Sequence, residues 1–194
     1  ESGYPVYDKT SSEYLAPGEK LLPRLLEELE QAEKYIFIEF FILAEGVMWN
    51  KIHEVLRRKV KEGVEIRIMF DDFGSIKRQT KGFIKRLRNE GILVSVFNPI
   101  NPVMNVFMNN RNHRKIVVID GKTAITGGIN IGDEYINEIN RFGYWVDSAV
   151  IIKGNAVKSF LAMFCCMWEF NTGKRIPIKN YLVDYPVGDD GFVL

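Results

Sequence analysis

Three times in its first hundred residues, the chain passes from a stretch with helical spacing of apolar residues into a short run of β-branched and aromatic ones. Residues 18–34 place Leu21, Leu22, Leu25, Leu26 and Leu29 on one side and acidic residues on the other, which predicts an amphipathic helix. Residues 35–43 follow and are apolar apart from Glu39, as expected of a strand covered on both faces. A second helix is predicted over 47–62, closed by Gly63, with an alternating strand over 64–70. The third unit is a helix over 76–89 ending at Gly91 and a strand over 92–97 that halts at Asn98-Pro99. Such alternation builds an α/β sheet.

The later half changes character. Two β-rich runs, 114–120 and 123–126, are joined by Asp120-Gly121, a strong hairpin signal, so the sheet is expected to be mixed. A strand over 144–153 and an apolar helix over 155–170 complete it. The expected architecture is one α/β domain over residues 1–176, a mixed β-sheet flanked by helices on both faces. Residues 177–194 are expected to be a linker or the start of a second domain. With 46% hydrophobic residues among 194, the chain can bury one substantial core. Its net charge of +1 gives no polyelectrolyte field, so nucleic acid is not an expected partner. Cys165 and Cys166 are adjacent, which suits neither a disulfide framework nor a metal site, and are expected as buried free thiols in a reducing compartment. No apolar run reaches the roughly 18 residues of a membrane span. The chain opens without methionine and stops after the apolar run 191–194, so it is expected to be a soluble piece of a longer protein.

Of the 2 histidines, His53 lies in the predicted helix among Lys51, Arg57 and Arg58 and reads as a surface residue. His113 stands at the entrance of a predicted strand, and Lys115 shares its face because strand side chains alternate. That pair suits a phosphate ester: neutral imidazole nitrogen attacks phosphorus while the ammonium stabilises the non-bridging oxygens. Asp120 has the opposite parity and reads as the residue that fixes the turn. Gly127 and Gly128 mark either a plain bend or room for a ligand, and the Asn130 amide can donate to a phosphate oxygen. Glu39, a charge in an apolar strand, is either a residue at the site's margin that meets substrate or half of a structural ion pair.

Together, His113-x-Lys115-x4-Asp120-x6-Gly127-Gly128-x-Asn130 resembles the HKD motif of the phospholipase D superfamily, which usually has Ser where Gly128 stands. From about Tyr4 to Ile176 the chain is also similar to cardiolipin synthases. The similarity runs through Pro5-Val6-Tyr7, Gly18-Glu19, Ile38-Glu39, Asn112-His113-Arg114-Lys115, Trp145-Val146-Asp147, Trp168-Glu169 and Thr172-Gly173-Lys174-Arg175. The resemblance implies a phospholipase D-like fold. It implies a catalytic set of His113, Lys115, Asp120 and Asn130, with Asp147 fixing the tautomer of His113 and Gly127, Gly128 and Glu39 as candidates to meet substrate. The alternative for Asp147 is a surface residue at a strand start.

The implied chemistry is a two-step transfer through a phosphatidyl-histidine, without metal or cofactor. Phosphatidylglycerol, an anionic phospholipid, would be both donor and acceptor, giving cardiolipin and glycerol. The leaving glycerol oxygen needs a proton while the nucleophile is occupied, so a second acid is required. The superfamily supplies it from a second HKD motif, in the same chain or in a homodimer partner. His53 is followed by Glu54 and Val55, so this chain offers none. The fragment is therefore expected to be inactive alone, its parent acting at the cytoplasmic face of the bacterial cell membrane. Competing readings are a homodimeric HKD phosphodiesterase or nuclease and a non-catalytic phospholipid-binding module. Met-rich residues 102–108 read either as an acyl-chain contact or as a buried loop. Lys77, Arg78, Lys81, Lys85, Arg86 and Arg88 read as a solvated helix face ahead of an anionic-lipid surface.

Overall fold

The structure is a computed structural model that describes residues 5–100 and 110–183. Strand β2 (Tyr35–Phe40) lies within a sheet in which every one of its residues is buried, as its unbroken apolar run requires. Helix α1 (Leu21–Glu30) leads into β2, and parallel to that strand run β3 (Glu65–Asp71), reached through α2 (Val47–Lys61), and then β4 (Leu93–Phe97), reached through α3 (Asp72–Ser75) and α4 (Phe83–Asn89). On the other side of β2, antiparallel, lies β5 (Ile116–Ile119), followed by β6 (Thr123–Gly127) and β7 (Ala149–Gly154). With β1 (Thr10–Leu15) on β7, the order is β1-β7-β6-β5-β2-β3-β4, a mixed sheet of 7 strands.

Alternation along the strands divides the core in two. Ile36, Ile38, Ile68 and Val117 face α1, α2 and α4, where Leu25, Leu29, Ile52, Leu56 and Leu87 meet them. Phe37, Met69, Ile116 and Val118 face α5 (Val157–Thr172) through Leu161, Phe164 and Trp168. Phe37 stacks on Phe164 with ring centroids 4.8 Å apart. Helices on both faces of a mixed sheet match the expected architecture.

Several local expectations are corrected. The helix expected over 76–89 reduces to α4, because Lys77 and Gly82 adopt left-handed backbone with φ of 58° and 83°. Lys77, Arg78 and Lys81 thus stand outside any helix, and Arg78 pairs with Glu134 instead of facing solvent from a helix. Strand β1 carries the polar sequence TSSEYL on the sheet's edge, with no apolar run to announce it. Cys165 is buried, its thiol pushed up to about 12 by that burial, but Cys166 is exposed. Ile176 is buried, and the Tyr35 hydroxyl donates to the Tyr181 carbonyl at 2.8 Å, so packing onto the sheet continues past residue 176. Residues 102–108 and 191–194 lie outside the described part of the chain. Among the described residues, no helix is long and apolar enough to cross a membrane.

Candidate active site

The site forms at the end of the sheet where β2 and β3 finish and β5 begins. His113 and Lys115 precede the first paired residue of β5, so they lie in the extended lead-in to the strand. Their expected proximity holds: Lys115 Nζ lies 3.1 Å from His113 Nδ1, 3.2 Å from Nε2, and donates to the His113 carbonyl at 2.7 Å. The ring nitrogens bond in diverging in-plane directions, so an ammonium nearly equidistant from both is aligned with neither. The acceptor nitrogen's lone pair is therefore not committed to lysine. Phe41 backs the pair, its ring centroid 4.7 Å from that of the imidazole and 5.5 Å from Nζ.

Electrostatics favours neutral imidazole. His113 is held below its ordinary value of 6.5, first by desolvation and then by the neighbouring Lys115 charge, with Asp71 opposing. Lys115, buried beneath the exposed imidazole, is pushed down to about 8 by desolvation, with Asp147 opposing. Near neutrality the site thus offers an uncharged ring beside a cation, the combination that nucleophilic attack on an anionic phosphodiester requires.

The remaining candidates divide. Asp147 is in the site, but no hydrogen bond joins it to His113 among the described residues; its charge instead supports Lys115. The expected contact between Asp147 and the His113 ring is not made in this arrangement, in which the acid lies closer in effect to Lys115. Its carboxylate occupies the space that a Cβ on Gly128 would need, so the absence of a side chain there admits an acid rather than a ligand. Gly127 has a packing reason of its own: a Cβ would strike the Ser148 carbonyl and Ala149 on β7. Asn130 is buried, and its Oδ1 accepts from the Ile42 amide at 3.0 Å. Its side chain also bonds Tyr135, an interaction that opposes the burial raising that phenol. Asn130 thus braces the end of β2, and no hydrogen bond links it to the pair among the described residues.

Asp120 does not belong with the catalytic residues in which the motif places it. It stands at the far end of β5, roughly 16 Å from Lys115 along extended chain. Its carboxylate accepts from the amides of Glu33, Lys34 and Tyr35, each at 2.8 Å, and its φ of 52° starts the turn completed by Gly121 at 67°. Glu39 is also removed from substrate. It is 0% exposed, on the sheet face opposite the His113 and Lys115 side chains, where it accepts from Asn112 Nδ2 at 2.7 Å and lies 3.5 Å from Arg114 Nε. Burial raises its carboxyl, with Asn112 and Arg114 opposing. His53 stays outside the site, stacked on Trp49 and bonded to Glu90.

Sequence reasoning missed Asp71, the last residue of β3. It is fully buried and accepts from the amides of Phe73, Gly74 and Asn112 and from Arg111. An acid ending an apolar strand was the available signal.

Residues 25–168 match the family described as "Cardiolipin synthase, PLD-like domain". The chain belongs to this family. A cardiolipin synthase from Geobacillus sp. (strain WCH70) is 37% identical over 96% of the chain and 37% of its own length. An uncharacterized protein of Streptococcus mutans is 44% identical over 99% of the chain and 42% of its own length. The chain therefore spans about two fifths of the length of these relatives. Among solved structures, the phospholipase D family member Nuc from Salmonella typhimurium superposes with a TM-score of 0.62 at 19% identity, covering 91% of this chain and 98% of that one. Phosphatidylserine synthase from Haemophilus influenzae gives 0.59 at 17% identity, over 89% and 37%. These likenesses establish the phospholipase D fold.

Proposed function

We propose that this cardiolipin synthase-family domain is the half of a phosphatidyltransferase that carries the nucleophile, with His113 bonding covalently to phosphorus. The neutral imidazole attacks the phosphorus of phosphatidylglycerol, forming an N–P bond while the P–O bond to the headgroup glycerol breaks. The departing oxygen takes a proton from an acid in a second HKD half, supplied by the rest of a longer chain or by a homodimer partner. The terminal hydroxyl of a second phosphatidylglycerol then attacks phosphorus, loses its proton to that group and breaks the N–P bond, giving cardiolipin. Lys115 stabilises charge on the non-bridging oxygens throughout. The placement of Lys115 Nζ within 3.2 Å of both ring nitrogens, beside an imidazole held neutral, carries this reading.

Supporting it are the family membership and the named cardiolipin synthases among the relatives. The domain acts with its parent at a membrane surface. The test is to mix the protein with short-chain phosphatidylglycerol, quench in alkali and look by mass spectrometry for an acid-labile phosphatidyl adduct on His113. An adduct absent from His113→Ala supports the proposal. A protein that forms none, with its second half present, overturns it. Cleavage of plasmid DNA in place of lipid transfer would favour the nuclease reading. Binding of lipid without turnover would favour a non-catalytic module.

A further inference from the structure

We infer that Glu39 is a positioning residue that acts on His113 through Asn112, from the opposite face of the sheet. Every polar group of Asn112 except its carbonyl oxygen is held. Its backbone N–H donates to Asp71 Oδ2 at 3.0 Å, and its Nδ2 donates to Glu39 Oε1 at 2.7 Å. Its Oδ1 accepts from the Arg114 amide at 3.3 Å. That last bond spans His113, closing a side-chain turn over its backbone. The residue before the nucleophile is thus fixed at three points, two of them on fully buried carboxylates, Asp71 at the end of β3 and Glu39 one residue before the end of neighbouring β2.

Among the described residues, Glu39 makes no other bond that explains it. It interrupts an apolar strand between buried Ile38 and Phe40, opposite Met69 on β3 and Ile116 on β5, where an apolar side chain would pack against α5 without a desolvation cost. Its Oε2 is buried without a hydrogen-bond partner among the described residues, so the carboxylate is incompletely compensated there. The bonds it does make reach Asn112 and Arg114, the residues on either side of His113. A buried polar group bonded only to the flanks of a nucleophile restricts the nucleophile's backbone, and so the approach angle of its ring. Asp71 secures the same segment from β3, together with Arg111.

The choice of His113 as the group worth aiming rests on the proposed function, but the test needs no turnover. The chain has 2 histidines, and His53, on α2, serves as an internal control. Imidazole NMR titration would follow both rings in the unsubstituted chain and in Glu39→Gln, Glu39→Leu and Asn112→Ala. Gln keeps an acceptor for Asn112 and should leave both rings unchanged. Leu and the Asn112 variant should broaden the His113 ring signals and raise its pKa toward the free value, with the His53 ring signals unchanged in width. An unmoved His113 in either folded variant overturns the inference. So does equal movement of both histidines, or a Gln variant that behaves like Leu. Should neither variant fold, the unsubstituted chain still decides: slow exchange of the Asn112 side-chain N–H protons supports the bond to Glu39, and fast exchange removes it. Loss of the phosphatidyl adduct with these NMR results intact would sink the proposed function alone.

Discussion

The two ends of β5 carry the residues of one sequence motif and could hardly be more different. At the Asp120 end a buried carboxylate has three backbone amides, and both residues of the turn adopt the positive φ that a tight hairpin needs. At the His113 end an ammonium is buried under an exposed ring, its pKa pushed down to about 8, and the ring is held neutral. One end spends its polar groups on the fold; the other keeps them short of partners, ready for an anion. A motif read as a single catalytic signature is, in three dimensions, a reactive end and an anchoring end of the same strand.

Substitution at each end should separate the two. His113→Ala, assayed with the second catalytic half present, should lower turnover roughly 10⁴-fold or more, the scale of losing a nucleophile. Because the ring is exposed, unfolding by urea should change by less than about 0.5 kcal/mol. Asp120→Ala should do the reverse. It leaves three backbone amides, that of Tyr35 buried, without this acceptor and puts alanine at a left-handed position, costing about 3 kcal/mol in the same urea experiment. Asp120→Asn should cost less, since asparagine tolerates that backbone and keeps one acceptor oxygen. If Asp120→Ala folds with full stability yet cannot form the His113 adduct, the division between the ends fails.

This division was only partly legible in the sequence. His113 and Lys115 were, because their contact is made between residues two apart. The anchoring of Asp120 was half visible: its parity and the Gly121 that follows gave the turn, but not the amides of residues 33–35, which the pairing of β5 with β2 supplies. Asp71 and Asn112 were not legible as a pair, since only the adjacency of the ends of β3 and β5 around β2 brings them together. Asp147 was legible by its neighbourhood but its effect on Lys115 was not, because chain spacing locates a loop and not the direction of a carboxylate within it. The third helix was overestimated for a local reason: the apolar spacing continues through Lys77, but its backbone does not.

The pH profile sharpens the reactive end. Activity should rise as pH climbs through the His113 pKa, below 6.5, because only the neutral ring attacks. It should fall again near 8 as Lys115 loses its proton. The Asp147 charge stabilises the ammonium, so Asp147→Asn should move the alkaline limb to lower pH, by roughly half a unit. The acid limb should stay within error, since Asp147 has no hydrogen bond to His113 among the described residues. An acid limb that moves instead would restore Asp147 as the partner of the ring.

Gly128→Ser gives the smallest and most discriminating effect. The new Cβ would meet the Asp147 carboxylate, which must turn away from its place near Lys115. If making room for that acid is the whole reason for glycine, the serine variant should lose activity a few-fold and shift the alkaline limb the way Asp147→Asn does, but by less. In the double variant the two changes should then be non-additive, because both act by withdrawing one charge from one lysine. A hydroxyl that instead reaches the phosphate would lower KM with the alkaline limb unmoved. That outcome would mean the loop yields readily, and that Asp147 is held in the site by something other than the room Gly128 leaves.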